Sequence, residues 1–484
     1  MCGIYGVSGA NNAVDQIIRG LFCLQHRGHE SAGFAVWNNQ MNHIKTQKRV
    51  GFVSHLREKI DSAQFPGETG IGHVRYGTIG GTGLRNAQPL VKEIFGSQMA
   101  IAHNGDLVRG YLNGDWLSIG ELREELQRQG VVFDTTADTE LIFSLIARSD
   151  KIDVIDKILD TLNRIAGAFS LLILWNGFLI AAKDPWGFRP LCFGKANSSY
   201  TFASENCAFS HTGVEFVKNL APGEVIIVTP DGEINTYQLN QKGVISPCSF
   251  EFVYLSRPDS NIFDVSVSSA RKALGRATAL EMNHYNLLPL DALVIPVLDS
   301  GRTTALSFAQ ILNHLRLLDN LNKQTIENAI DGEFPFDFGL NRNQYSARNF
   351  ITPGQKAREA DVDLKHNPDS AIVAGRKIIK VDDSIVRATT ATRHVALLRK
   401  AGATEVHVAI ASPRIVDVCH YGVDIKHPEE LIAANHSLEE TKQIIGADSL
   451  YHLSLLGYQQ ALREVGLKSF CDACFSRNYP LAPF

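Results

Sequence analysis

The first residues able to do chemistry stand at the start of the chain, Met1-Cys2-Gly3-Ile4-Tyr5-Gly6. Removal of Met1 would leave one residue carrying both a thiol and a free α-amine. The thiol is a nucleophile. An α-amine with a pKa of roughly 7.7–8.0 serves as its base near neutral pH without a histidine. A bare Met-Cys is more often a start codon followed by an ordinary buried cysteine, so the rest of the chain must decide.

Four short polar segments follow it: His26-Arg27-Gly28-His29-Glu30, Gly72-His73-Val74-Arg75-Tyr76-Gly77, Ala102-His103-Asn104-Gly105-Asp106 and Thr135-Thr136-Ala137-Asp138-Thr139-Glu140. Each has a plain local reading. Asn104-Gly105 is a hairpin-turn signal. Asp138 suits a helix cap before Leu141-Ile142-Phe143, and Arg75 suits the end of a strand. The elements positioning them are short strands and a few helices. Gly33-Phe34-Ala35-Val36-Trp37 and Leu171-Leu172-Ile173-Leu174-Trp175 read as strands closed by Asn38-Asn39 and Asn176-Gly177. Residues 13–24 predict an amphipathic helix, and residues 118–128 another, opened by a Ser118–Glu121 capping box. The mixture predicts an α+β layered domain.

Cys2 and the four segments resemble, in order and spacing, the glutaminase domain of the N-terminal-nucleophile (class II) glutamine amidotransferases. The likeness extends to Asp184-Pro185-Trp186-Gly187-Phe188-Arg189, Ala203-Ser204-Glu205 and Ala221-Pro222-Gly223-Glu224. It implies that Cys2 attacks the carboxamide of glutamine with its own amine as base. Asn104 and the Gly105 N–H, turned outward by the hairpin, would hold the oxyanion. Arg75 would hold the α-carboxylate of glutamine and Asp138 its α-ammonium, with Arg27 in a loop closing over it. His29 stands where relatives carry Gln.

After Gly243 the texture changes to helices alternating with the apolar runs Leu293-Val294-Ile295-Pro296-Val297, Lys377-Ile378-Ile379-Lys380-Val381 and Val406-His407-Val408-Ala409-Ile410. A helix over 389–401, closed by Gly402, is one of those between. This alternation predicts a parallel sheet covered on both faces, with ligands at the carboxyl ends of its strands. At one such end Asp382-Asp383 precedes a hydroxyl-rich loop that runs into a helix start, a pattern suited to a phosphate and to ribose hydroxyls or Mg²⁺. An acidic turn with helix-capping Thr is the plain alternative.

Residues 381–390 resemble the phosphoribosylpyrophosphate (PRPP) signature of type I phosphoribosyltransferases. Cys248-Ser249-Phe250-Glu251-Phe252-Val253-Tyr254, Ile295-Pro296-Val297-Leu298-Asp299-Ser300-Gly301 and Ile444-Ile445-Gly446-Ala447-Asp448 look like the glutamine PRPP amidotransferase family. The resemblance implies Ser300, Asp382 and Asp383 as Mg²⁺ ligands. Ser384, Ile385, Val386, Arg387, Ala388, Thr389 and Thr390 would cradle the 5′-phosphate. Residues 339–351, with Arg348, would close over PRPP. Departures cluster here: Ala388 replaces the family's glycine, Thr303-Thr304 its Pro-Ala, and Arg342, Gln344 and Ala347 its Lys, Arg and Gly. Residues 309–333 are also longer than the family's connection. A Cβ at 388 costs on the order of 1 kcal/mol if that position needs φ > 0.

Cys471-Asp472-Ala473-Cys474 is a spaced thiol pair that alone reads as redox motif, half a metal site or neither. In the family branch carrying a [4Fe–4S] cluster, the ligands match Cys248, Cys419, Cys471 and Cys474; tetrahedral Zn²⁺ is the chemical alternative. Cys23, Cys192 and Cys207 read as core thiols.

The chain has 484 residues, 44% hydrophobic and 20% charged, with a net charge of −4. That bounds it to two or three domains and gives no reason to expect nucleic acid or an acidic membrane as partner. No apolar run reaches the roughly 18 residues of a membrane span, and no secretion signal opens the chain. Eight cysteines without such a signal predict a reducing, cytoplasmic setting. The combined expectation is an α+β glutaminase domain of layered antiparallel sheets over 2–235, followed over 236–484 by an α/β phosphoribosyltransferase domain with a parallel sheet. Glutamine would supply ammonia to C1 of PRPP, giving phosphoribosylamine for purine synthesis. The family implies a homotetramer inhibited by purine nucleotides. The altered residues around 339–351 and 388 motivate an alternative, a paralogue with the same glutaminase and another phosphorylated acceptor.

Overall fold

The computed structural model describes residues 2–58, 60–77, 83–322, 334–343 and 366–482. Two seven-stranded sheets occupy the N-terminal half. The first runs Glu215–Asn219, Cys192–Ala196, Ser199–Ala203, Gly3–Ser8, Thr69–Arg75, Ser31–Asn38, His43–Val50. The second runs Ile234–Gln238, Glu224–Val228, Phe178–Lys183, Ile165–Trp175, Ser97–Leu112, Leu90–Ile94, with Asp115–Ser118 paired beside Ser97–Leu112.

Neighbouring strands in both sheets are antiparallel. The sheets stack through Ile4, Ala35 and Ile71 from one and Ala102, Leu172 and Leu179 from the other. Strand Ile165–Trp175 is therefore buried on both faces, which is why its sequence is a continuous apolar run rather than an alternation. Helix Ala13–Cys23 covers the outer face of the first sheet with Ala13, Val14, Ile17, Ile18 and Leu21, an i, i+4 stripe opened by the Asn12 cap. Ile119–Arg128, with its Ser118–Glu121 capping box, Thr139–Ala147 and Val154–Leu162 cover the second. The last strand, Ile234–Gln238, runs past residue 235, because Gln238 still pairs with Glu224.

One local reading is corrected. Asn104-Gly105 makes no hairpin turn; both residues lie inside the 16-residue strand Ser97–Leu112. Asn104 pairs with Ser170 and Gly105 with Phe169, so the ladder overrides the local turn preference. Gly105 adopts φ +154, and a Cβ there would stand 1.9 Å from the Ala168 carbonyl oxygen, which restricts the position to glycine.

The C-terminal half holds a four-stranded parallel sheet, Leu293–Pro296, Lys377–Asp382, Glu405–Ile410, Ser449–His452. Helix Thr389–Lys400 packs Ala391, Val395 and Leu398 on one face, and the other face meets Ala279, Met282, Ala305, Phe308 and Leu312 from Val267–His284 and Arg302–Asn322. Gly402 at φ +97 follows the first of these helices as the sequence predicts. The halves share a core of Ala166, Trp186 and Phe188 against Tyr421, Cys471 and Leu481. Among the described residues no helix is long and apolar enough to cross a membrane.

Candidate active site

Cys2 directly precedes strand Gly3–Ser8, which lies beside Thr69–Arg75, and it remains half-buried. A Cβ on Gly3 would come within 2.9 Å of Val74 and 3.1 Å of Leu24, so the residue after the nucleophile must be small. The Cys2 nitrogen donates to Asn104 Oδ1 at 3.2 Å. Asn104 is fully buried, yet its Nδ2 has no hydrogen-bond partner among the described residues. A buried amide nitrogen with an unspent donor beside a thiol is costly in a resting protein and useful at an oxyanion.

Arg75 ends its strand and pairs with Glu30, Nη1 to Oε1 2.8 Å, both side chains buried. Asp138 caps Thr139–Ala147 and accepts from the N–H groups of Leu107 and Thr139, each at 2.8 Å, with His103 Nδ1 3.5 Å away. Burial pushes its carboxyl up, but His103 and those N–H groups outweigh burial and hold it below the usual carboxylate range.

Arg27 lies in the segment between helix Ala13–Cys23 and strand Ser31–Asn38. It occupies a short 3-10 turn, is buried, and donates through Nε to the Cys2 carbonyl at 2.9 Å. Its other nitrogens meet Glu205 at 2.5 Å and Glu251 at 3.0 Å. The guanidinium thus ties the Cys2 carbonyl to two buried carboxylates. Burial raises the Glu205 carboxyl, but His26 and Arg27 together drive it far below its ordinary value. Glu251 belongs to the C-terminal half and also meets Arg189 at 3.3 Å. His29 packs beside Phe52, with ring centroids 5.5 Å apart and the planes tilted by 48°.

In the second half, Ser300, Asp382 and Asp383 come together. Ser300 Oγ donates to Asp383 Oδ1 at 2.5 Å and Ser384 Oγ to Oδ2 at 2.6 Å. The Asp383 N–H donates to Asp382 at 3.0 Å. Burial, then the Asp382 charge, pushes the Asp383 carboxyl up to about 7. The fully buried Lys380 answers Asp382 at 2.9 Å. Ile385 and Val386 are buried, and Arg387 pairs with Glu430 at 2.6 Å. Ala388 sits at φ +62 and ψ −14 before Thr389–Lys400, offering no side-chain cap. The left-handed conformation that favours glycine is thus occupied by alanine. Arg348, like Gln344, Tyr345 and Ala347, lies outside the described residues, as does part of 309–333.

Cys248, Cys419, Cys471 and Cys474 neighbour one another. The backbones of Cys248 and Cys471 form a parallel bridge, and Val416 donates to the Cys474 carbonyl at 2.9 Å, bringing in the Cys419 segment. Burial pushes Cys248 up to about 11 and Cys471 and Cys474 well above the ordinary thiol value, and the other thiols add to the shift. Four thiols, those of Cys248 and Cys471 buried and those of Cys419 and Cys474 partly so, with the Arg189 guanidinium beside Cys248, make a donor set of the right chemistry for a thiolate-bound centre. Among the described residues no three His, Cys, Asp or Glu are arranged to share a single metal ion. Cys23, Cys192 and Cys207 are core residues of the first sheet, as their sequence context predicts.

Sequence reasoning assigned no role to Glu205, Glu251, Arg189, Asp106, Lys426 or Lys380. The available signal was a charge inside an apolar run, as in Phe250-Glu251-Phe252-Val253 and Ile378-Ile379-Lys380-Val381.

A double antiparallel sheet presenting Cys2 and Asn104 defines a glutamine amidotransferase, and the family profile described as the glutamine amidotransferase domain matches residues 83–211. Amidophosphoribosyltransferase from Methanocaldococcus jannaschii is 41% identical over 99% of this chain and 98% of its own length. That from Bacillus subtilis is 38% identical over 99% and 94%. The solved structure of the B. subtilis glutamine PRPP amidotransferase, complexed with ADP and GMP, matches with a TM-score of 0.84 at 36% identity, covering 100% of this chain and 98% of that one. The chain belongs to the amidophosphoribosyltransferase family and is an enzyme of it.

Proposed function

We propose that the chain releases ammonia from glutamine at Cys2 and transfers it to C1 of PRPP, displacing pyrophosphate and giving 5-phosphoribosylamine, the first step of purine synthesis. The observation that carries this reading is a pocket at the junction of the halves, lined by residues of both. Its wall includes Arg27, which holds Cys2, and Val386 of the phosphate loop, with His26, Tyr76 and Tyr254 between. Ammonia released to water at neutral pH is mostly protonated and non-nucleophilic, so a sheltered route is what the chemistry requires.

After Met1 is removed, the Cys2 thiolate attacks the amide carbon while its amine, aligned by Asn104 Oδ1, carries the proton. Asn104 Nδ2 and the Gly105 N–H face the oxyanion. The amine protonates the departing nitrogen as the tetrahedral intermediate collapses, and water then releases glutamate from the thioester. Arg75 offers a guanidinium to the α-carboxylate and Asp138 a carboxylate to the α-ammonium, both held in place by Glu30 and His103. Ammonia attacks C1 of PRPP as pyrophosphate leaves, with the 5′-phosphate at residues 384–390 over the start of helix Thr389–Lys400. Ser300, Asp382 and Asp383 would hold Mg²⁺, which neutralises charge on pyrophosphate. Cys248, Cys419, Cys471 and Cys474 would hold a [4Fe–4S] cluster as a staple between chain segments. Full-length similarity to named amidophosphoribosyltransferases supports PRPP over another acceptor. The bound ADP and GMP of the B. subtilis relative support purine nucleotides as inhibitors. A cytoplasmic homotetramer completes the reading.

The test is product analysis with glutamine, Mg²⁺ and PRPP. Stoichiometric glutamate, pyrophosphate and phosphoribosylamine are expected. Glutamate formation that ignores PRPP contradicts the reading.

A further inference from the structure

The segment from Cys419 to Lys426 belongs to the C-terminal half, yet it lies against the strand carrying Asn104 and Gly105. Lys426 Nζ forms an ion pair with Asp106, the residue after Gly105, and donates to the Cys419 carbonyl at 3.2 Å. The Asp106 side chain is only 9% exposed, so the pair is shielded from water. Gly422, at φ +100, packs on Gly105: a Cβ there would stand 3.1 Å from both Gly105 Cα and its carbonyl carbon. The arch is pinned at its middle. Arg189 Nε donates to the Tyr421 carbonyl at 2.7 Å, the Tyr421 ring stacks on Phe188 at 4.1 Å, and its hydroxyl donates to the Leu481 carbonyl at 2.5 Å.

Gly105 has reason to need such support. Glycine has the largest backbone freedom of any residue. The ladder that would restrain it against Ile165–Trp175 shifts register between Leu107 and Arg109, shortly beyond Asp106. Ala168 closes one side of Gly105 and the arch closes another.

We propose that Lys426 and Asp106 are a positioning pair for glutamine hydrolysis, through which the Cys419–Lys426 arch of the transferase half fixes the Gly105 N–H at the oxyanion. This rests on the reading of Asn104 and Gly105 as oxyanion donors. Removing one such donor lowers kcat by about 10²–10³-fold. A displaced but present donor should lose part of that.

The experiment compares Lys426→Met, Lys426→Arg, Asp106→Asn and the double variant Asp106→Asn/Lys426→Met in the full-length protein. Glutaminase kcat should fall about tenfold in Lys426→Met, with KM for glutamine changed less than about twofold. Lys426→Arg should recover most of the loss. The double variant should be no worse than the poorer single one. Formation of phosphoribosylamine from PRPP and free ammonia, which bypasses Cys2, should keep its wild-type rate in every variant. Gly422→Ala gives a second route to the same result, since it leaves both charges and presses on Gly105. Loss of glutaminase and ammonia-dependent activity together would overturn the proposal as general damage. So would additive losses, or a raised KM at unchanged kcat. Asn104→Ala in parallel separates the two claims: if it leaves glutaminase intact, the oxyanion assignment itself has failed.

Discussion

The two reaction sites balance their charges in opposite ways. Around Cys2 every strong charge has an internal partner: Arg75 with Glu30, Arg27 with Glu205 and Glu251, His103 with Asp138. The donors are fixed before glutamine arrives, and the Asn104 amide nitrogen is left without a hydrogen-bond partner among the described residues. Around Asp382 and Asp383 the balance is negative. Lys380 answers one carboxylate, and the other is driven up to about 7 by burial and by its neighbour. The first site is preassembled for a neutral amide. The second carries an excess of negative charge, which suits the cation and polyanion proposed for it.

The largest expected effect separates the sites outright. Cys2→Ala should abolish glutaminase, by at least about 10⁴-fold, while the reaction of PRPP with free ammonia persists, as steady-state assays of both will show. Asn104→Ala should lower glutaminase kcat by about 10²–10³-fold. Glu205→Gln should destabilise the fold by about 3–5 kcal/mol in chemical denaturation, since Arg27 is left buried without that carboxylate. The pH dependence follows from the direction of the shift. The folded carboxyl of Glu205 is held below its unfolded value, so its contribution is complete above about pH 4.3 and is lost as pH falls. The wild type should therefore lose stability more steeply in acid than Glu205→Gln.

The second site has its own pH signature. On the proposed role of Asp383, proton and metal compete for a carboxyl whose pKa burial and Asp382 raise, so Mg²⁺ affinity measured by calorimetry should weaken as the pH falls through neutrality. The smallest effect tests the phosphate loop: Ala388→Gly relieves a left-handed alanine and should stabilise the protein by about 1 kcal/mol while tightening PRPP binding.

What could be read from the sequence was chemistry written in contiguous motifs. The diacid, the loop that follows it, the left-handed backbone at 388 and the Asp138 cap are all local. So were the helix over 13–24 and the parallel strands, because burial on one or both faces imposes its own residue pattern. The Asn104-Gly105 turn was misread because a local preference lost to a ladder formed with residues 165–175. The buried charge pairs were invisible for a related reason. Arg27 and Glu251 are 224 positions apart and Asp106 and Lys426 are 320 apart. A charge in an apolar run announces that a partner exists without naming it.

The central claim is that nitrogen freed at Cys2 reaches C1 of PRPP without mixing with solvent. Glutamine labelled with ¹⁵N in its amide, turned over with PRPP and Mg²⁺ in a large excess of unlabelled ammonium at neutral pH, measures this directly. Phosphoribosylamine carrying essentially the full label is the result this structure predicts. A label diluted toward the ratio in free solution would mean that the cavity between the halves is no conduit, and the two sites merely share a chain.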